Sequence, residues 1–250
     1  MSGHSKWASI KHKKGALDAK RGALFTKIIK EITVAAKNGG GKLEANPRLR
    51  TAIQKAKESN MPADNIDRAI KKGTGELPGV VYEEITYEGY GPGGVAILIE
   101  ALTDNKNRTT AEVRNILEKK GGSMSGAGSV AWQFHNKGFI VVQKNVVDEE
   151  KLMSIVLDAG ASDFSAEGDS YEITAEPQDF ENVKKAVQDS KIAITSAEVT
   201  RIPQATVKVS AANDAKNVLA MVESLEEHDD IQNVYSNLDI PDEILQQLGT

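Results

Sequence analysis

The chain has 250 residues, of which 40% are hydrophobic and 27% are charged, so it is long enough for about two domains with buried cores. This composition excludes a disordered or collagen-like protein, and the absence of cysteine excludes disulfides, thiolate nucleophiles and cysteine-based metal centres. The charge is divided unevenly: residues 1–75 hold 17 Lys+Arg against 6 Asp+Glu, a net charge of +11, whereas residues 76–250 hold 14 against 30, a net charge of -16.

Clustered lysine and arginine side chains displace counterions from a phosphate backbone. The basic part of the chain therefore predicts a nucleic-acid partner, and the alternative is that its charges are only solvated helix faces. The N-terminal sequence lacks the apolar core of a signal peptide, and no run of about 18 apolar residues occurs. We therefore expect a cytoplasmic protein that does not span or bind a membrane.

Residues 1–75 predict a small helical domain. Apolar side chains recur with helical spacing from Gly15 to Lys37, and the glycines after Asn38 are expected to end this first helix. Asn46 followed by Pro47 is typical of a helix start, and the second helix is expected to bury Leu49, Ala52, Ile53 and Ala56. A third helix is expected to run to Lys72 and to stop at Gly73.

From Val80 onward the hydrophobic period changes from that of a helix to that of a strand. Residues 82–88 and 95–102 predict a hairpin joined by a glycine-rich turn, residues 109–120 predict a helix, and residues 123–129 predict a loop. Residues 133–202 predict the order βαββαβ, which is a complete ferredoxin-like unit. A single strand, helix and strand are predicted after Pro203, at residues 206–210, 214–228 and 233–238.

These elements predict an α+β fold, in which an N-terminal helical domain is followed by two α/β domains, one of them ferredoxin-like and inserted into the other. The predicted domains are a basic helical domain (1–75), a discontinuous α/β domain (76–132 and 203–250) and the inserted ferredoxin-like domain (133–202). Neither the first hairpin nor the segment after Pro203 can bury a sheet alone, so the two are expected to share one sheet. The alternative is three domains in succession.

Ten residues are candidate nucleic-acid contacts. A basic run near the N-terminus includes one aromatic residue, Trp7, which either stacks on a base or anchors the N-terminal segment to the helices. Along the first helix, basic residues recur at seven-residue spacing beside the apolar face, while Arg21 falls on the apolar side. The candidates are Lys6, Trp7, Lys11, His12, Lys13, Lys14, Lys20, Arg21, Lys27 and Lys30.

The sequence predicts no catalytic residue, no cofactor and no metal site. The four histidines share no metal-ligand spacing, and the glycine-rich turn at residues 91–94 lacks the Lys-Ser/Thr of a phosphate-binding loop. The ferredoxin-like segment holds 7 Lys+Arg against 13 Asp+Glu, so we expect it to repel a polyanion.

Several motifs, in order along the chain, resemble those of the YebC family. They are residues 3–7 with 10–14, Asn60-Met61-Pro62, residues 87–94, residues 103–109 and residues 128–132. This family comprises bacterial proteins labelled probable transcriptional regulators, whose mitochondrial relatives are translational activators of cytochrome oxidase. The resemblance covers essentially the whole chain. It implies a helical domain plus two α/β domains, one interrupting the other, and cytoplasmic nucleic-acid work without an established enzyme activity.

We therefore expect a non-enzymatic transcriptional regulator that binds DNA through its basic N-terminal domain. The alternative is a ribosome-associated RNA-binding factor that activates translation, which the lack of dimerising heptads and of an obvious recognition helix favours. The acidic domains are expected to be spacers or surfaces for ribosomal or transcription proteins. No oligomeric state is predicted.

Overall fold

The computed structural model describes the backbone of residues 17–248 and the side chains of residues 22–248. The described residues form two compact units, which we call the helix–sheet unit (17–129 and 213–234) and the ferredoxin-like unit (130–212 and 235–248). The predicted fold class is confirmed, because helices come first and sheet-containing parts follow. The domain boundaries given above stay a prediction. No helix within residues 17–248 is long and apolar enough to cross a bilayer.

Three helices open the helix–sheet unit: α1 (Leu17–Gly39), α2 (Pro47–Glu58) and α3 (Ala63–Thr74). Their apolar faces share one core, which contains Ile32, Leu49 and Ile66. The start of α2 is as predicted, because the Asn46 side chain accepts a hydrogen bond from the backbone N–H of Leu49 at 3.0 Å. The Asn46 amide also donates to the backbone oxygens of Ala35 and Gly40, both at 2.8 Å, and so ties α2 to the end of α1.

The predicted stop of the third helix at Gly73 is wrong. Helix α3 continues to Thr74, and the left-handed residue that ends it is Gly75, with φ of 83°. Gly73 instead lies where α3 approaches α1 closely, since a Cβ atom there would stand 2.4 Å from the backbone oxygen of Thr33. The missing side chain therefore serves helix packing and not helix termination.

The first sheet has four strands, in the order β3 (Ser123–Ser125), β1 (Glu83–Tyr90), β2 (Ala96–Thr103) and β9 (Ile231–Ser236). Strands β1 (Glu83–Tyr90) and β2 (Ala96–Thr103) form the predicted hairpin, followed by helix α4 (Lys106–Lys119) and strand β3 (Ser123–Ser125). The loop predicted at residues 123–129 is wrong in its first part, because β3 pairs with the free edge of β1. Helix α4 also begins earlier than predicted, with Asn105 as its N-cap.

The C-terminal strands are divided between two sheets. Strand β9 (Ile231–Ser236) follows helix α7 (Ala212–Glu226) and joins the hairpin sheet as predicted. The expectation that residues 206–210 join it as well is wrong. Strand β8 (Val207–Lys208) instead pairs in parallel with β10 (Leu238–Asp239), and the backbone N–H of Val207 donates to the oxygen of Asn237 at 2.7 Å.

The ferredoxin-like unit has the predicted element order: β4 (Phe134–Gln143), α5 (Glu149–Asp158), β5 (Ala161–Glu167), β6 (Ser170–Ala175), α6 (Phe180–Asp189) and β7 (Ser196–Pro203). Its strands pair antiparallel in the order β5-β6-β4-β7, which is the ferredoxin-like topology. The core between sheet and helices contains Ile140, Ile173 and Val183. A short helix α8 (Asp242–Gln247) follows β10.

Candidate nucleic-acid interface

The structure describes the side chains of two of the ten predicted contact residues. Lys6, Trp7, Lys11, His12, Lys13 and Lys14 lie outside the described residues, so their assignment stays a prediction. Lys20 and Arg21 belong to α1, and their side chains also lie outside the described ones. Only Lys27 and Lys30 of the ten can be placed with their side chains.

Lys27 and Lys30 point from α1 towards the last residue of α7 and the segment that follows it. The Lys27 ammonium donates to the backbone oxygen of Glu226 at 2.5 Å. The Lys30 ammonium donates to the backbone oxygen of Asp229 at 3.0 Å and to Oδ1 of Asp230 at 2.5 Å, and it lies 5.6 Å from the centre of the Tyr82 ring. Both ammonium groups are therefore used for contacts inside the protein.

The carboxylate of Asp230 is the centre of a buried polar cluster. Besides Lys30 on Oδ1, its Oδ2 atom accepts hydrogen bonds from Arg108 at 2.7 Å, from the Thr109 hydroxyl at 2.7 Å and from the Thr103 hydroxyl at 3.1 Å. Burial by itself raises the pKa of Asp230, but the hydrogen bonds from Lys30, Arg108 and Thr109 outweigh it and hold this pKa well below its usual range. Asp230 is therefore a charged carboxylate in the folded protein at neutral pH.

Residues of the motif at 103–109 are arranged around this carboxylate. The Asn105 side chain caps α4 by accepting a hydrogen bond from the backbone N–H of Arg108 at 3.1 Å. Arg108 also donates to Asp104 at 2.8 Å, and its hydrogen bonds to Asp230 and Asp104 raise the pKa of its guanidinium above the usual value. The cap and the first turn of α4 thus aim Arg108 and Thr109 at Asp230.

Glu112 and His228 extend the cluster towards solvent. The backbone N–H of Asp230 donates to Nδ1 of His228 at 3.1 Å, so the neutral ring carries its hydrogen on Nε2 and donates it to Glu112 at 2.8 Å. Together with Asp230 these side chains border a cleft of about 590 Å³, and their possible metal ligand atoms lie within 4.8 Å of one another. A cation there would compete with Lys30 and Arg108 for the Asp230 carboxylate, so the cluster suits a hydrogen-bond network better than a metal. The predicted lack of a metal stays a prediction.

A second group of basic residues lies exposed on α2 and α3 and was not among the ten candidates. We call it the basic helix surface; it consists of Arg50, Lys55, Lys57, Arg68 and Lys72. None of these five forms an ion pair with any residue of the described range, whereas Arg48 pairs with Glu31 and Glu84, and Lys71 with Asp67. The apolar periods of α2 and α3 could have identified its members, because residues outside the buried stripes of these two helices face solvent.

Comparisons with known proteins support one family. A family model described as TACO1/YebC protein N-terminal domain matches residues 5–76, and a model described as TACO1/YebC second and third domain matches residues 82–238. A curated relative from Dictyoglomus thermophilum is 57% identical over 250 residues, and one from Syntrophobacter fumaroxidans is 55% identical over 249 residues. Each alignment covers 100% of both proteins, and both relatives are called "Probable transcriptional regulatory protein".

A solved structure is similar as well. The crystal structure of a conserved hypothetical protein, Aq1575 from Aquifex aeolicus, matches with a TM-score of 0.80 and 46% sequence identity. The match covers 93% of this chain and 96% of that one. The arrangement of helices and sheets described above is therefore shared with an experimental structure.

Proposed function

Because the chain belongs to the TACO1/YebC family, we propose that it is a transcriptional regulator that binds DNA through the basic residues of its first 75 positions. The observation that carries this proposal is the basic helix surface, where five exposed cationic side chains lack a carboxylate partner within the described residues. Unpaired Lys and Arg side chains are free to neutralise phosphates. The names of the relatives agree with a regulatory role.

The proposed interface combines two segments. The basic helix surface contacts the phosphate backbone, and the N-terminal run with Lys6, Lys11, Lys13 and Lys14 adds further phosphate contacts, with Trp7 as a stacking residue. Lys27 and Lys30 are left out of the proposed interface because their ammonium groups bind Glu226, Asp229 and Asp230. The proposal contains no catalytic step, since the carboxylate of the most chemically suggestive cluster already accepts four hydrogen bonds.

A ribosome-associated RNA-binding factor that activates translation is the second candidate. A sequence-specific DNA regulator needs side chains that read base edges, and an amide is well suited to this. On α2 the only amide side chain is that of Gln54, and it donates to Glu58 at 3.0 Å, which favours the second candidate. The cationic side chains of the basic helix surface can all contact phosphates, and such contacts carry no sequence information directly. Such a surface fits rRNA as well as DNA.

The proposed binding surface is tested by a salt titration on the full chain. We expect the triple variant Arg50→Glu, Lys55→Glu, Lys57→Glu to lower the magnitude of the slope of log Kobs against log salt by roughly three, at about 0.9 per phosphate contact on duplex DNA. The matched control is Lys151→Glu, Lys185→Glu, Lys208→Glu, which changes three exposed lysines of the ferredoxin-like unit and should leave the slope unchanged. Equal slopes for both triple variants would refute the proposed surface.

Crosslinking in cells separates the two candidate functions. The full chain is crosslinked, and the attached nucleic acid is sequenced. Promoter DNA lost in the Arg50/Lys55/Lys57 variant but kept in the control variant would support the regulator. Enrichment of rRNA with the same dependence would support the translation factor instead.

A further inference from the structure

Asp230 lies where three separate segments of the helix–sheet unit meet. Lys30 comes from α1, Arg108 and Thr109 come from the start of α4, and the backbone oxygen of Asp230 accepts a hydrogen bond from the N–H of Leu102 at the end of β2 at 2.8 Å. The Lys30 and Asp230 side chains are 9% and 5% exposed. The nucleic-acid proposal gives this cluster no task.

Because the Lys30–Asp230 pair is buried, its stability depends on keeping the two charged groups in contact. A buried ammonium and a buried carboxylate both lose their hydration, and only each other and neighbouring donors replace it. All four donors to Asp230 are distant from it along the chain. Thr103, Arg108 and Thr109 are 121 to 127 positions away, and Lys30 is 200 positions away. A rotation of α1 against the sheet would take the Lys30 ammonium away from Asp230 and from the backbone oxygen of Asp229, whereas Asp230 would keep its hydrogen bonds from Arg108, Thr109 and Thr103. The cost of such a rotation therefore falls on the buried Lys30 charge.

Helix α1 also carries the other two helices. The core shared by α1, α2 and α3 includes Ile28, Ile32 and Ala36 of α1 with Leu49 and Ile66, so an anchor on α1 orients the whole helical group. A further contact between helices and sheet, the Arg48–Glu84 pair, has side chains that are 39% and 47% exposed, and water weakens it. The Asp230 cluster is the better protected of these two contacts.

We propose that Lys30, Asp230 and Arg108 are positioning residues, which hold α1 in a fixed orientation on the hairpin sheet and so present the basic helix surface at a fixed angle to it. The proposal rests on the proposed function for the purpose of that orientation, but the rigid attachment can be tested without nucleic acid. In this arrangement Lys30 acts through Asp230 and does not touch a phosphate. The motif at residues 103–109 supplies the other half of the attachment.

The test measures the attachment as a distance in the full chain. Because the protein has no cysteine, the changes Glu58→Cys on α2 and Glu118→Cys on α4 give two unique sites for spin labels. The parent should give one narrow distance distribution by pulsed electron paramagnetic resonance. We expect Lys30→Met and Asp230→Asn each to broaden this distribution at least twofold, and the double variant to broaden it no further than either single variant.

A matched control separates this role from general stabilisation. Lys71→Met breaks an exposed Lys–Asp pair within α3 and should leave the distance distribution unchanged. If Asp230→Asn does not fold, Thr109→Val removes one hydrogen bond to the same carboxylate with little change of shape and should broaden the distribution to a smaller extent. Folded variants whose distributions match that of the parent would overturn the proposal.

Nucleic-acid binding provides an independent readout for Lys30. If Lys30 positions α1, Lys30→Met leaves the salt slope unchanged. A slope reduced by about 0.9, with an unaltered distance distribution, would make Lys30 a phosphate contact and overturn the positioning role. A parent protein that binds no nucleic acid would contradict the proposed function, whereas the distance measurement would still decide whether the attachment is rigid.

Discussion

Gly73 and Gly22 are both helical glycines, and we expect opposite effects when each is changed to alanine. Alanine is favoured over glycine inside a helix by about 1 kcal/mol, which applies to both positions. At Gly22 in α1, an added Cβ meets no atom of the described residues within 4 Å. Gly22→Ala should therefore raise the free energy of unfolding by about 0.5 to 1 kcal/mol.

At Gly73 the same methyl group has no room. Its Cβ would lie 2.4 Å from the oxygen of Thr33, 2.7 Å from Cβ of Ala36 and 3.2 Å from the nitrogen of Lys37, all on α1. Two of these atoms are helix backbone and cannot move without separating α1 from α3, so a cost near the upper end of the 1–3 kcal/mol range of overpacking, roughly 3 kcal/mol, applies. After the gain in helix propensity, Gly73→Ala should lower the free energy of unfolding by about 2 kcal/mol.

Urea unfolding followed by circular dichroism measures both changes on the full chain. At constant m-value, the midpoint should rise for Gly22→Ala and fall for Gly73→Ala. A neutral or stabilising Gly73→Ala would show that the close approach of α3 to α1 does not constrain this position.

Three further predictions concern acid stability, a helix cap and the second core. Because the pKa of Asp230 lies below that of a free aspartate, its ionised form stabilises the fold above about pH 4, and this contribution is lost as pH falls below that value, at up to about 1.4 kcal/mol per pH unit. In urea titrations between about pH 2.5 and 5, Asp230→Asn should show a correspondingly flatter dependence, and parallel curves would contradict the lowered pKa. Asn46→Ala should cost about 2 to 3 kcal/mol in urea unfolding, since it removes the α2 cap and the two hydrogen bonds from the amide to the oxygens of Ala35 and Gly40, whereas Asn46→Asp, which keeps the cap, should cost less. Gly138→Ala should lower the stability of the ferredoxin-like unit by about 1 to 3 kcal/mol because its Cβ would stand 2.5 Å from the Phe180 ring. A melting temperature of Gly138→Ala equal to that of the parent would show that Phe180 moves aside freely.

Local patterns in the sequence were sufficient to predict most of the fold. The start of α2 follows from Asn46 and Pro47, because a cap and a first-turn proline act within one helical turn. The ferredoxin-like unit follows from alternating and helical hydrophobic periods, which need no knowledge of distant residues. The uneven distribution of charge likewise predicted that the nucleic-acid contacts lie among the first 75 residues. It did not predict which of the basic side chains there are exposed and unpaired.

Contacts between distant segments were beyond these local patterns. The sequence spacing of Lys30 gave no sign that its ammonium meets a carboxylate 200 positions away. Gly73 resembles a helix stop in sequence, yet the backbone of another helix determines why no side chain fits there. The pairing of β8 with β10 also joins segments that are about 30 residues apart, and no local pattern in either strand predicts it. Caps and hydrophobic periods act over a few neighbouring residues, whereas burial, ion pairing and steric exclusion depend on which surfaces the folded chain brings together.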